Sequence, residues 1–290
     1  MAVAARPAWV DDELFPFESR FIEIDGHTVH YVDEGSGPVL LFLHGNPTWS
    51  FDYRRIIASL RSEFRCIAVD YPGFGLSVAA PGYRYLPSEH TQVIRTFVKD
   101  LDLSGVTLVA HDWGGPIGLA TVQQHPAAFD RLVLSNTWAW PVGAPIVQIM
   151  SHVLGGPIGR LLIRQFNLFV NVMIPVGHRL TKPSDEEMAH YQRALDSPAR
   201  REGAAVFPRE ITASRAFLAD VESGLPAIAA LPSLIIWGDG DFAFGDKELR
   251  QWERTLTNRQ TVIVNGAGHF VPSDAPEQFV AAIRNWHAES

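Results

Sequence analysis

The stretch Val106-Thr107-Leu108-Val109-Ala110-His111-Asp112-Trp113-Gly114-Gly115-Pro116-Ile117-Gly118 decides the fold. Its first five residues are apolar and rich in β-branched side chains, the signature of a buried strand. Small residues and a proline follow. Ile117-Gly118-Leu119-Ala120-Thr121-Val122 then reads as a helix with Pro116 in its first turn. Asp112 therefore stands where strand becomes helix. The nucleophile elbow, usually G-x-S-x-G, has this placement, and here the pattern is Ala110-His111-Asp112-Trp113-Gly114. Small residues two places to either side let backbones pass closely at a tight turn. The central residue is a carboxylate, which attacks an electrophilic carbon directly and becomes an ester without first losing a proton. The start of the helix favours its ionised form. A plain N-cap is the bland reading of the same residue.

Outward from this stretch, strand and helix alternate. Val39–Leu43 is a buried strand ending in His44-Gly45-Asn46-Pro47, and a helix follows from Phe51 to Leu60. Cys66–Asp70 is the next strand. The glycine-rich loop after it, Pro72 to Ser77, has neither G-x-G-x-x-G spacing nor a P-loop lysine, so it is no phosphate cradle. Residues 88–101 read as a helix and Arg131–Ser135 as a strand. Ser233–Trp237 is a strand leading into Gly238-Asp239-Gly240-Asp241. Thr261–Val264 leads into Asn265-Gly266-Ala267-Gly268-His269, and a helix over 274–287 closes the pattern. Residues 19–34 form a hairpin turning at Asp25-Gly26. Continuous apolar strands alternating with helices predict an α/β fold: a mostly parallel sheet covered on both faces.

Residues 137–223 carry no convincing strand. They read as helices broken at Pro145, Gly155-Gly156-Pro157, Pro175, Pro183 and Pro208. This unit is predicted to be a cap over the strand C-terminal ends, where ligands bind in such sheets. Residues 1–136 and 224–290 would form the core domain. For Trp138, Trp140, Phe166 and Phe169, packing among cap helices is the favoured role over lining a pocket.

Hydrophobic residues make up 47% of the 290, ample for a large core, and the formal charge is −8. With no Lys/Arg-rich run, neither nucleic acid nor an anionic membrane is expected as a partner. The first residues have no long apolar run, so no signal peptide is expected. No stretch reaches the roughly 18 apolar residues of a membrane span. The single cysteine, Cys66, excludes an intrachain disulfide and reads as a buried thiol in a cytoplasmic protein. No Cys/His zinc spacing occurs. His27 and His30, three apart on a strand, face opposite ways, so no metal is expected.

Four residues that follow buried strands share one edge of a parallel sheet: Asn46, Asp112, Asp241 and His269. Nucleophile, acid, histidine is the chain order of α/β-hydrolases. The segments His44–Ser50, Asp70–Ser77, His111–Gly115 and Gly266–Phe270 resemble those of the haloalkane dehalogenases within that superfamily, and the likeness runs from about Phe15 to Trp286. The resemblance implies that Asp112 displaces halide and forms an alkyl ester. His269 would activate the water that cleaves the ester, and Asp241 would hold the imidazole. The backbone N–H groups of Asn46 and Trp113 would form an oxyanion hole, and their side chains would hold the halide. It implies a small apolar halogenated substrate, water as co-substrate and no cofactor. Many members carry a Glu after the strand that follows the elbow helix. Here that place holds Ser135-Asn136-Thr137, so the acid falls to Asp241, with Asp239 as second choice. This pattern is similar to the type III subgroup, whose members often form large oligomers, so a homo-oligomer is implied.

An epoxide hydrolase shares the Asp nucleophile but typically needs two cap tyrosines, and the proposed cap has one, Tyr191. A fluoroacetate dehalogenase would place Arg where Trp113 stands. A non-catalytic α/β-hydrolase-fold binding protein is the other alternative.

Overall fold

The computed structural model describes residues 5–289; residues 1–4, the start of the stretch read for a signal peptide, and Ser290 lie outside it. The described strands are β1 (Arg20–Ile24), β2 (His27–Glu34), β3 (Val39–Leu43), β4 (Arg65–Val69), β5 (Val106–His111), β6 (Phe129–Ser135), β7 (Ser233–Gly238) and β8 (Arg259–Val264). They form one sheet in the order β1-β2-β4-β3-β5-β6-β7-β8. From β4 to β8 every neighbouring pair is parallel. The hairpin strand β2 runs antiparallel to β1 and to β4. Its turn residues Asp25 and Gly26 both have positive φ, as a two-residue hairpin turn demands. Every residue of β5 and β7 is buried, which explains why their sequences are continuously apolar rather than alternating.

Helices α1 (Arg54–Leu60), α2 (Pro87–Asp100) and α3 (Gly114–Gln124) precede the insertion. Six more lie between β6 and β7: α4 (Pro145–Gly155), α5 (Pro157–Phe166), α6 (Ile174–Gly177), α7 (Asp185–Ala194), α8 (Glu202–Ala213) and α9 (Arg215–Ile228). After the sheet resumes come α10 (Asp246–Thr255), α11 (Val271–Asp274) and α12 (Pro276–Ala288). α3 packs against both α2 and α9, while α1 packs against α11 and α12. Among the described residues no single helix is long and apolar enough to cross a membrane.

Two expectations for the insertion need correction. Pro208 does not break a helix; it lies inside α8. The lost backbone bond is tolerated because α8 packs closely against α4, where Ser151 Oγ donates to the Pro208 carbonyl at 2.7 Å. Nor do the four aromatics share one role. Phe166 is 66% exposed, Trp140 is buried against Trp252, and Trp138 and Phe169 line the cavity described below.

The insertion is fastened to the sheet by polar contacts. Arg54 of α1 pairs with Glu187 of α7, both almost fully buried. Arg200 donates to the carbonyl oxygens of Gly75 and of Ser77, the latter at 2.8 Å. His27 and His30 are each engaged separately: His27 Nδ1 accepts from Ala80 N–H, and His30 pairs with Asp70.

Candidate active site

Asp112 stands between the last residue of β5 and Trp113, the N-cap of α3, and has φ +50°, a conformation that costs a non-glycine residue energy and clusters at functional sites. The surrounding backbone is closely packed. A Cβ at Gly45 would come within 2.4 Å of the Asp112 side chain, and one at Gly114 within 2.2 Å of the Leu43 carbonyl oxygen. Glycine at both places is what allows β3 and β5 to end side by side. Thr137 Oγ donates to the Asp112 carbonyl at 2.6 Å and holds the turn.

The Asp112 carboxylate is asymmetric in its surroundings. Oδ1 accepts the backbone N–H of Asn46 at 2.8 Å, and the N–H of Trp113 also reaches the carboxylate. Oδ2 faces His269 Nε2 across 3.8 Å, beyond a direct hydrogen bond. Burial pushes the carboxyl up from its ordinary range, while His269 and the two N–H groups pull it back.

His269 follows β8 and is 5% exposed. Its Nδ1 lies 3.0 Å from Asp241 Oδ2. Burial disfavours the imidazolium, but the Asp241 carboxylate outweighs burial and Asp112 adds to it, lifting His269 to about 9. The hydrogen bond to Asp241 assigns the Nδ1 proton and leaves Nε2 turned to Asp112. Burial works against the Asp241 carboxylate too, yet His269, the Ala243 N–H and the Asn136 amide together hold it below its ordinary range. Asp239 is elsewhere: its Oδ1 accepts from the Gly266 N–H at 2.6 Å, a turn contact.

Asn136 was missed by the sequence reading. It directly follows β6 and has φ +36°. Its Nδ2 donates to Asp241 Oδ2 at 2.8 Å and to the Gly238 carbonyl at 3.1 Å, and its Oδ1 accepts from Gly238 N–H at 2.8 Å. One side chain thus ties the ends of β6 and β7 together and orients the acid. The available signal was the absence of a carboxylate at this strand end.

Asn46, Asp112, Trp113 and His269 line one cavity of about 180 Å³. Trp138 and Phe244 stack in its wall, and the insertion supplies an apolar roof that includes Met150, Phe169, Pro208 and Ile211. Among the described residues no group of three or more His, Cys, Asp or Glu side chains is placed to hold a metal ion. Tyr191 is buried away from this cavity, its OH donating to Asp52 Oδ1 at 2.9 Å.

Asp52 belongs to a second buried chain of polar groups. Ser273 Oγ lies 2.7 Å from Asp52 Oδ1 and 2.8 Å from His178 Nε2, and His178 Nδ1 lies 2.7 Å from the Ile174 carbonyl. A carbonyl only accepts, so Nδ1 carries a proton. Neutral His178 then accepts from Ser273 and leaves no hydrogen for the contact to Asp52. The chain therefore needs one proton more than neutral His178 and ionised Asp52 provide. Burial pushes Asp52 up and His178 down, and both shifts favour the carboxyl over the imidazole as the holder of that proton. The His178 ring stacks on Phe270, the neighbour of His269.

Residues 38–276 match the family described as the alpha/beta hydrolase fold. The chain is 42% identical over 277 residues to haloalkane dehalogenase 2 of Mycobacterium tuberculosis, covering 94% of this chain and 96% of that one. It is 30% identical to a cis-3-alkyl-4-alkyloxetan-2-one decarboxylase of Shewanella oneidensis, covering 96% and 91%. Among solved structures it resembles a putative ancestral haloalkane dehalogenase, with a TM-score of 0.84, 29% identity and coverage of 93% and 98%. It also resembles the haloalkane dehalogenase DatA of Agrobacterium tumefaciens C58, with a TM-score of 0.85, 26% identity and coverage of 94% and 96%. A carboxylate on the elbow, a histidine and acid behind it, and near-full-length likeness to these enzymes agree: the chain belongs to the haloalkane dehalogenase family of α/β hydrolases.

Proposed function

We propose that the protein hydrolyses carbon–halogen bonds of small haloalkanes through an ester on Asp112. The observation that carries this reading is the unequal environment of the two carboxylate oxygens. Oδ2, which faces His269, attacks the carbon and expels halide. Oδ1, already held by the N–H of Asn46, becomes the ester carbonyl oxygen. His269 Nε2 then takes a proton from water as the water oxygen attacks the ester carbon. The charge that develops on Oδ1 falls on the Asn46 N–H, and we assign the Trp113 N–H, which also reaches the carboxylate, as the second donor of the oxyanion hole. Collapse expels the alcohol, which takes a proton from His269, and one proton leaves with the halide.

Ester formation also prepares the base. His269 near 9 holds its proton partly because Asp112 is charged. Once Asp112 is an ester that charge is gone, and the imidazole moves toward the neutral form that accepts a proton. Asp241 remains its partner throughout.

Halide leaving into an apolar cavity costs several kcal/mol unless hydrogen bonds receive it. The side-chain N–H groups of Asn46 and Trp113 are the donors beside Asp112, and we assign halide binding to them. The same proposal divides the chain into a core (1–136 and 224–290) and a cap (137–223), although the packing of α9 on α3 favours ending the cap near Ser214. A cytoplasmic setting accords with the free Cys66, whose thiol burial pushes up to about 12. Self-association, implied by the type III resemblance, has a candidate face in the exposed Ile149, Val153 and Ile158 of α4 and α5.

Bromide release from 1,2-dibromoethane and 1-bromobutane tests the reaction. Release by the wild type and none by Asp112→Ala is expected, and His269→Phe should retain the alkyl group as a mass increase on the protein. No release with either substrate would overturn the assignment. Turnover of a cis-3-alkyl-4-alkyloxetan-2-one instead would move the chain toward the reaction for which its Shewanella relative is named.

A further inference from the structure

We infer that Pro208 is a positioning residue for halide binding, acting through the Ala204 carbonyl on the side-chain amide of Asn46; this rests on the proposed role of Asn46 as a halide donor. In an α-helix the N–H of residue 208 donates to the carbonyl of residue 204. Proline has no N–H, so within α8 the Ala204 carbonyl is left without its helical donor. A buried carbonyl without a donor is costly. In this structure Asn46 Nδ2 supplies one, at 3.4 Å.

The contact decides which way the amide faces. Ala204 O can only accept, so it attracts Nδ2 and repels Oδ1. Asn46 Oδ1 is buried with no partner of its own, so nothing else in the structure fixes the amide. One Nδ2 hydrogen satisfies Ala204 and the other is left for the halide. Were the amide reversed, Oδ1 would present negative charge to the leaving anion. A proline four residues beyond Ala204 thus converts a helix carbonyl of the cap into an orienting group for a donor on the core. Pro208 and Asn46 both line the cavity, so the device sits at the site itself.

The test is a double-substitution cycle on bromide binding, read by fluorescence quenching of the full chain at constant ionic strength. The four proteins are wild type, Asn46→Ala, Pro208→Ala and the double variant. Alanine favours the helix interior, and its N–H returns the helical bond to Ala204. Asn46→Ala is expected to weaken bromide by at least about tenfold, as loss of a hydrogen bond to an ion does. Pro208→Ala is expected to weaken it about three- to tenfold in the wild-type background and not at all in the Asn46→Ala background. An equal loss in both backgrounds, or none in either, overturns the inference, since Pro208 would then act by its ring alone or not at all. The Asn46 side-chain amide signal in nitrogen–proton spectra, identified by its disappearance in Asn46→Ala, gives a second readout. It should shift in Pro208→Ala. If Asn46→Ala leaves bromide binding unchanged, the halide role of Asn46 fails. The amide signal then judges the orienting contact by itself, and an unmoved signal overturns it.

Discussion

The floor of the cavity is made of strand ends and its roof of helices interrupted by prolines and glycines. On the floor, Asp112, Asp241 and His269 are each held by hydrogen bonds from backbone or from a neighbouring side chain, and each follows a strand of the sheet. On the roof, Met150, Phe169 and Ile211 present apolar surface and no charge. The difference is one of what a displacement costs. A parallel sheet fixes its C-terminal edge through the register of every strand, so catalytic groups there are positioned without having to move. Helices packed by side chains tolerate changes of volume. Chemistry is therefore expected to reside in the floor and selectivity in the roof.

The largest test of that division is Asp241→Asn. The amide cannot stabilise a protonated His269, and steady turnover should fall by about three to four orders of magnitude. Ester formation needs only Asp112, so a first-turnover burst of halide should survive. Turnover within tenfold of wild type would mean that Asp241 is not the acid and that the floor is less specific than drawn. The pair also leaves a mark on stability. His269 is raised from 6.5 to about 9, so its contribution is fully present below about pH 6.5 and is lost as pH rises through about 9. The difference in Tm between wild type and Asp241→Asn should shrink between pH 6 and pH 10.

The floor was also the part legible in the sequence. Val106–Ala110 and Ser233–Trp237 are apolar runs that only a buried strand explains, and Asp112 and Asp241 lie in the segments that follow them. Thr261–Val264 is the exception: β8 is a strand but largely not a buried one, with Ile263 exposed because no further strand flanks it, yet the loop after it still brings His269 to the same edge. Strand order thus places Asp112, Asp241 and His269 at one edge before any contact is known. Asn136 left no such trace. Its role comes from bonding across the ends of β6 and β7, and no periodicity encodes a lateral side-chain contact. Pro208 was misread for a related reason. A proline inside a helix is disfavoured locally, and only packing with α4 and the use of a freed carbonyl by Asn46 make it acceptable. Phe166 shows the limit from the other side: helical spacing marks an apolar face but not whether anything covers it.

Floor and roof are joined by the Tyr191–Asp52–Ser273–His178 chain, and substitution of Asp52 probes how firmly. Asp52→Ala takes away the acceptor of the buried Tyr191 hydroxyl and one partner of Ser273 and should cost about 2–4 kcal/mol, seen as a lower Tm. Asp52→Asn should cost under about 1 kcal/mol, because an amide NH2 standing in the place of Oδ1 donates to both the Tyr191 and the Ser273 hydroxyl oxygens. If Asn is as harmful as Ala, the proton resides on His178 and the chain is an ion pair. Both variants should leave the first-turnover halide burst in place, since neither touches Asp112.

The smallest effect is expected from the roof alone. Phe169→Ala removes an aromatic wall from a cavity of about 180 Å³ and touches none of the groups around Asp112. One methylene more or less in an apolar pocket changes kcat/KM by about 10–200-fold. The ratio of kcat/KM for 1-bromohexane to that for 1-bromobutane should therefore rise by about tenfold. The change should appear in KM, because added volume alters how the chain is accommodated and not how the carbon meets Asp112 Oδ2. A fall in kcat common to both substrates would show that Phe169 presses the reacting carbon toward the carboxylate. The roof would then share in the chemistry, and the division between floor and roof would hold only for charge.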